Sequence, residues 1–532
     1  MRFHLLPAVV WLALPHAILA QDPVVGAIPF DQLLSDPAGF GFANRTPSFD
    51  AQVQELEQMA KAGNLGLDKC QIACALLELL VPPNVSSPAS PDYKPVKYWS
   101  VQQSEVIPAC RIDVASARDI STAIKVSKLT QCPFAVKGGG HVAFAGASSI
   151  QNGILINLAN LNTVSVNEDR TITSVGSGNT WINVYKILDP LGLSVVGGRE
   201  ASVGVGGLTL GGGISYFSGR YGWACDNVLN YEVVLADGSI VIASPTSEPN
   251  LYWALRGGSG TNFGIISRFD LATFEQGPLW GGSKYYSIIS NASLAEAFSK
   301  FAVDAPTDDF AHLYIAFGYA DSFGGFAAVS GPTYGKPVAD APIFDELSKI
   351  PALIDATGLN NITALAIALD QTAYVRFRTV TFKNDANLIK QLVQIYVEET
   401  STVLDIPGIL PFFSFQPISL NIIDKMKKNG GNVLGLSEAD GPLVIMNVNW
   451  GWSDAADDAR ISDTVLRFFS RSIALAKSMS LDHRFIYMNY AGLDQGVFAG
   501  YGEHNLGRLK DIQKRYDPHG VFTKLQPGYF KL

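Results

Sequence analysis

The sequence predicts an α+β protein of more than one domain, on three observations. The chain has 532 residues, more than a single hydrophobic core accommodates. Hydrophobic residues make up 47% and charged residues 16%, which supports sizeable cores. The pattern then changes near residue 276. From 95 to 275, short strand signals alternate with helices and glycine-rich loops, whereas from 276 to 480 glycine thins out and longer strands and helices follow one another. The formal net charge of −9 and the lack of any Lys/Arg-rich run argue against a nucleic-acid surface.

Residues 1–20 read as a secretory signal peptide. Arg2 and His4 precede an apolar run from Leu5 to Leu19, and Ala20 stands before Gln21-Asp22-Pro23. The run is short for a membrane span and holds Pro7, Pro15 and His16, and no later stretch is long and apolar enough to cross a bilayer. The expected location is therefore the secretory lumen or the exterior. Sequons at Asn84, Asn291 and Asn361 are compatible with glycosylation there. In that setting Cys70, Cys74, Cys110, Cys132 and Cys225 allow two disulfides at most and leave one thiol. Cys70 and Cys74 lie a helical turn apart, so a bridge from their helix to Cys110 or Cys132 is expected.

Residues 21–65 carry no clear chemistry. A helix is predicted over 66–80, with Leu67, Cys70, Cys74 and Leu77 on its apolar face and Pro82-Pro83 stopping it. Residues 81–95 read as a loop. Ser116 is a candidate N-cap, with Asp119 in the first turn of the helix that follows. Strands are expected at Phe134–Val136, Gly153–Leu158 and Thr171–Val175, and a helix at Thr180–Leu188. Tyr231–Ile242 reads as a hairpin turning at Asp237-Gly238, and Leu251–Leu255 as a short helix. Beyond 276, strands are expected at Ala311–Phe317, Thr372–Phe382 and Val444–Trp450, with helices at Leu294–Val303, Ala386–Glu399 and Ile461–Lys477.

Three glycine-rich loops punctuate the first of these regions. Lys137-Gly138-Gly139-Gly140-His141 follows a short strand and presents one imidazole. The run from Gly197 to Gly213 is mostly loop by propensity, with room for one short apolar turn. Arg256–Gly264 is the third. Any one of them alone reads as an ordinary turn. Together, in hydrophobic surroundings that disfavour disorder, they suggest backbone brought close to a ligand, and a pyrophosphate-bearing cofactor would account for all three.

Several chemistries lack their motifs. There is no G-x-x-x-x-G-K-[ST], and Gly204-Val205-Gly206 is followed by Thr209 where a dinucleotide fingerprint needs glycine. There is no H-E-x-x-H and no G-x-S-x-G. His141, His312, His483, His504 and His519 show no ligand spacing, so no metal is expected.

The Lys137–His141 turn, the Val203–Gly213 loop, Asp226-Asn227-Val228 and Asn262-Phe263-Gly264-Ile265-Ile266 resemble the FAD-binding domain of the vanillyl alcohol oxidase/p-cresol methylhydroxylase superfamily. The segment Tyr487-Met488-Asn489-Tyr490, Tyr501-Gly502, Asn505, Arg508-Leu509 and Tyr516-Asp517-Pro518 resembles the C-terminal part of berberine bridge enzyme-like flavoproteins. The resemblance implies a two-part FAD-binding domain: a first part made of an N-terminal segment at 21–94 and the contiguous 95–275, and as its second part a C-terminal segment at 481–532 that returns to it. Between them, 276–480 would form an α+β substrate domain with an antiparallel sheet.

By the same resemblance, FAD is the cofactor and His141 carries it covalently. Relatives with a second link use a cysteine where this chain has Glu200, so a single link is expected. Lys137, Gly138, Gly139, Gly140, Ser202, Val203, Gly204, Gly206, Gly207, Gly211, Gly212, Asn262, Gly264, Ile265, Tyr501 and Asn505 fall at cofactor-contacting positions. Val203 stands where a small residue lets oxygen reach the flavin, although a valine also simply packs. Tyr487 would be the catalytic base and Asn489 its hydrogen-bond partner; a strand tyrosine with a solvated hydroxyl is the competing reading.

The implied activity is that of a secreted, monomeric oxidase. It would take hydride from an alcohol or ring carbon of a secondary metabolite, with molecular oxygen as second substrate and hydrogen peroxide released. Oxidation of a carbohydrate at the anomeric carbon is the alternative. A flavin-bearing non-redox cyclase or binding protein is the alternative of another class.

Overall fold

The computed structural model describes Gln54 and residues 68–532, apart from 321–323 and 367–372. The expected signal peptide and, but for Gln54, the segment 21–65 lie outside the described residues. Helix α1 (Lys69–Leu80) starts where the Asp68 carboxylate accepts the N–H groups of Cys70 and Gln71. Both of its cysteines are used. Cys70 pairs with Cys132 and Cys74 with Cys110, while Cys225 is a buried free thiol. The helix thus bridges to both candidate partners rather than to one.

Strands β1 (Val85–Ser86), β2 (Cys110–Asp113), β3 (Phe134–Lys137) and β4 (Ile154–Asn157) form a sheet in the order β1-β2-β4-β3, with β4 parallel to both β2 and β3. Helix α2 (Ala117–Thr130) makes the crossover. Its N-terminus carries the capping box expected from Ser116 and Asp119. A second sheet joins β5 (Val164–Val166), β6 (Ile172–Gly176), β8 (Val228–Val234), β9 (Ile240–Ala243) and β10 (Ile265–Glu275) in the order β5-β6-β10-β8-β9, with β7 (Leu193–Val195) also on β10. The β8–β9 hairpin turns at Asp237-Gly238, where Gly238 has φ +83°. Helix α3 (Trp181–Leu188) follows β6.

The glycine run contains a true helix, α4 (Val205–Leu210), longer than the single turn that propensity suggests. Tertiary packing overrides the glycine penalty, since Val205, Gly206 and Thr209 are buried.

The remaining strands are β11 (Leu279–Gly281), β12 (Lys284–Ser287), β13 (Ala311–His312), β14 (Ile315–Ala320), β15 (Gly325–Ser330), β16 (Thr333–Tyr334), β17 (Ile354–Asp355), β18 (Gly358–Asn360), β19 (Tyr374–Lys383), β20 (Leu410–Ile418), β21 (Leu443–Trp452) and β22 (Asp482–His483). Eight of them form one sheet, β17-β12-β15-β14-β20-β21-β19-β22, antiparallel throughout. Helices α5 (Asn291–Asp304), α6 (Ala386–Thr400) and α7 (Asp458–Ser478) share one core with its apolar face, including Phe415, Val448 and Trp450. The expected strand Ala311–Phe317 is instead two strands in different sheets. It breaks at Leu313-Tyr314, where the Tyr314 ring lies over Gly331, so closely that a Cβ there would sit 2.0 Å from the ring.

The C-terminal residues pack back on the first two sheets. Phe134 donates its N–H to the Leu525 carbonyl at 2.6 Å, and Arg508 of α8 (Glu503–Tyr516) lies 3.8 Å over the Trp253 ring.

Candidate active site

A cavity of about 670 Å³ lies between the glycine loops and the open face of the eight-stranded sheet. β3 ends at Lys137 and delivers residues 138–141 to one wall, and the start of α4 delivers Gly204, Gly206 and Gly207 beside them. The two loops touch backbone to backbone: a Cβ on Gly139 would stand 2.4 Å from the Gly204 nitrogen. Residues 259–261 with Gly264 and Ile265 close a third side, and Gln526 and Tyr529 come from the C-terminal segment.

His141 is held on three sides. Its ring stacks on Trp99 with centroids 4.4 Å apart and planes 16° off parallel. Its Nε2 lies 3.1 Å from Ser202 Oγ and 3.2 Å from Glu200 Oε2. Glu200 also accepts the Val203 N–H at 2.7 Å and the Ser202 hydroxyl at 2.9 Å, so one carboxylate shapes the turn and fixes the imidazole. The Val203 carbonyl accepts from Trp181 N at 3.1 Å, which ties this wall to α3.

The opposite wall follows from strand alternation. On β20, Phe412, Ser414 and Gln416 line the cavity, and on β21 Asn447 and Asn449 do. Their intervening neighbours Phe415, Met446, Val448 and Trp450 enter the core beneath. Tyr487 and Asn489 stand where the walls meet. The Tyr487 oxygen accepts from Gly213 N at 3.2 Å and from Asn489 Nδ2 at 3.0 Å, and the same Nδ2 reaches the Leu208 carbonyl at 2.9 Å. Burial pushes the Tyr487 hydroxyl well above the usual tyrosine range, and neighbouring Tyr490 adds to it. The two donors and Arg199 oppose this without reversing it, so the phenol keeps its proton near neutral pH.

The structure brings together at this cavity Gly138, Gly139, Gly140, His141, Val203, Gly204, Gly206, Gly207, Gly264, Ile265, Tyr487 and Asn489. Ser202 acts through His141. Gly211 and Gly212 stand behind the wall, and a Cβ on Gly211 would meet Asn489 Oδ1 at 2.0 Å. Lys137 is buried over the Tyr98 ring, 5.4 Å from its centroid, and burial pulls its ammonium down to about 8.

Asn262, Tyr501 and Asn505 do not line the cavity; they hold loops by hydrogen bonds to the Phe530, Gly257 and Val433 carbonyls. Sequence reasoning missed Arg199, Gln416, Asn449 and Tyr490, all on the wall. The signal that could have found two of them is polar side chains at alternate positions of otherwise apolar strands.

Two buried polar atoms on the wall, Ser177 Oγ and Asn449 Oδ1, have no partner among the described residues. One faces the glycine half and the other belongs to the sheet. With the loops stripped of side chains, they fit a long ligand that runs the length of the cavity. Among the described residues no group of three or more His, Cys, Asp or Glu side chains is placed to hold a metal ion, and no helix is long and apolar enough to cross a membrane.

Comparison with known proteins identifies similar families and folds. The model of an FAD binding domain matches residues 108–244, and that of the berberine and berberine-like family matches residues 486–527. The FAD-dependent monooxygenase tpcD of Cochliobolus heterostrophus is 40% identical over 502 residues, covering 89% of this chain and 96% of that protein. The FAD-dependent monooxygenase FUP4 of Fusarium proliferatum is 39% identical over 453 residues, covering 82% and 87%. Among solved structures, berberine bridge enzyme superposes with a TM-score of 0.69 at 18% identity, covering 85% of this chain and 98% of that one. Xylooligosaccharide oxidase from Myceliophthora thermophila gives 0.68 at 20% identity, covering 84% and 97%.

Proposed function

This chain belongs to the berberine bridge enzyme-like family of FAD-dependent oxidoreductases, and on that premise we propose that it is a secreted, monomeric oxidase of an alcohol or ring carbon in a secondary metabolite. The observation that carries the reading is the meeting of His141, Val203, Tyr487 and Asn489 around one cavity. The glycine loops, Ser177 and the C-terminal residues would hold FAD along one half, leaving the sheet half for substrate. FAD supplies a hydride acceptor that molecular oxygen regenerates with release of hydrogen peroxide.

The rest is the work of side chains. Stacking on Trp99 and the contacts of Nε2 fix the His141 ring, and among the described residues Nδ1 has no hydrogen-bond partner. We assign His141 as the single covalent anchor. Glu200 at the position of the second-link cysteine supports one link, and with it a secondary metabolite rather than a long carbohydrate. Tyr487, once ionised, takes the substrate hydroxyl proton at its oxygen, where Asn489 Nδ2 and Gly213 N–H stabilise the anion. Val203 leaves the wall open to oxygen.

The name shared by the relatives favours a second reading, a monooxygenase, in which an oxygen atom enters the product. Peroxide assay with isotopically labelled oxygen separates the two: labelled peroxide and unlabelled product support the oxidase, and labelled product overturns it. Oxygen uptake against benzylic alcohols, polyketide alcohols and sugars tests the substrate class. A flavin that never bleaches anaerobically while substrate is converted would establish the non-redox cyclase instead. Peptide mass spectrometry tests the anchor: flavin mass on the His141 peptide supports it, and flavin on a cysteine peptide, or flavin freed by acid, overturns it.

A further inference from the structure

Arg199 is the one lysine or arginine on the cavity wall among the described residues, and no carboxylate there comes within ion-pairing distance of it. Its partners are all neutral. One Nη donates to Gln416 Oε1 and to the Tyr490 hydroxyl at 3.2 Å, the other to His312 Nε2 at 3.3 Å, and the guanidinium lies 5.6 Å over the Tyr314 ring. His312 adds no second positive charge, because burial and Arg199 itself hold it well below the usual imidazole range. Among the described residues the one acidic residue on the wall, Glu200, bonds His141, Ser202 and Val203. A guanidinium framed by neutral groups in an apolar cavity is costly until an anion joins it, and it binds planar oxyanions with directional, charge-assisted hydrogen bonds.

We propose that Arg199 anchors an oxyanion of the substrate, a carboxylate or an ionised phenol or enol, beside Tyr487. The Tyr490 hydroxyl that Arg199 bonds belongs to a ring 4.9 Å from that of Tyr487, so the anchor sits next to the proton-accepting residue. The inference rests on the reading of this cavity as the substrate site and narrows it to acidic aromatic or enolic metabolites. A neutral sugar gives the cation nothing to pair with.

The test is calorimetric binding to the flavin-loaded protein of two anions, benzoate and 4-nitrophenolate, against the neutral benzamide and 4-nitroanisole. At least one anion should bind about tenfold or more tightly than its neutral counterpart, and which one does so distinguishes carboxylate from phenolate. Arg199→Gln should abolish the preference with flavin content unchanged, and Arg199→Lys should restore part of it. Equal binding of each pair, no binding of any probe, or a preference that survives in Arg199→Gln overturns the proposal. So does a loss of flavin from Arg199→Gln without any anion preference in the parent, since Arg199 would then serve the cofactor. Binding needs no turnover, so a protein that prefers anions yet never consumes oxygen would overturn the functional reading and leave this one standing.

Discussion

The carboxylate of Glu200 touches three groups at once: the His141 ring, the Ser202 hydroxyl and the Val203 amide. Glu200→Ala strips all three, leaving the Val203 amide unpaired and the His141 ring with Ser202 and Trp99 alone, at about 1–3 kcal/mol. The fraction of flavin that stays with acid-precipitated protein should fall, which in-gel fluorescence reads directly. Tyr487 carries a different prediction. Its hydroxyl is held above the usual range by burial, so its proton-accepting form grows only as pH rises. Anaerobic flavin reduction should therefore climb through the alkaline range without levelling off below about pH 10. Tyr487→Phe should lower the rate about 100-fold or more and flatten that climb while flavin absorbance persists; stopped-flow traces across pH check both. Tyr487 and Asn489 could be singled out because the resemblance that marks them is carried by one short segment. Arg199 was not, since what marks it is the neutrality of partners 113 to 291 residues away.

Among elements, the contact of the Gly139 loop with the Gly204 start of α4 leaves little room for change. Gly139→Ala forces backbone apart on both sides, with no flexible side chain to yield. Its cost should be about 1–3 kcal/mol, with flavin content lost, read by absorbance ratio and thermal unfolding. Helices α6 and α7 are clamped by Glu399, which takes Arg467 at 3.0 Å and Arg471 at 2.7 Å. These bonds hold its carboxyl below the usual range against the opposing effect of burial. A depressed value stabilises the fold above the ordinary glutamate pKa and loses that effect as pH falls through the folded-state value. Glu399→Gln should cost about 1 kcal/mol or less near neutrality, as both arginines are half exposed, and less at an acidic pH below the folded-state value. Urea unfolding at the two pH values compares them. The helix starts at Asp68 and Ser116 could be read because caps are local chemistry. The order of the eight-stranded sheet could not, for β14 pairs with β20 across a hundred residues of sequence (Ile315 with Phe415).

At the scale of the whole molecule, the Cys70–Cys132 and Cys74–Cys110 bridges close loops spanning 62 and 36 residues and pin α1 to the first sheet. Replacing the first pair by serine should cost about 2–4 kcal/mol and lower the melting temperature by several degrees, measured by calorimetry with and without reductant. The fold class was legible because glycine density falls where one architecture gives way to the other. The return of the C-terminal segment was legible only through its resemblance to a family, since no periodicity tells Leu525 to meet Phe134. That contact also orders events in time. Gln526 and Tyr529 complete the cavity wall, and the Phe530 carbonyl holds Asn262 in the third loop. A growing chain halted before residue 525 has no finished pocket, so the complete cavity forms only once these residues are made.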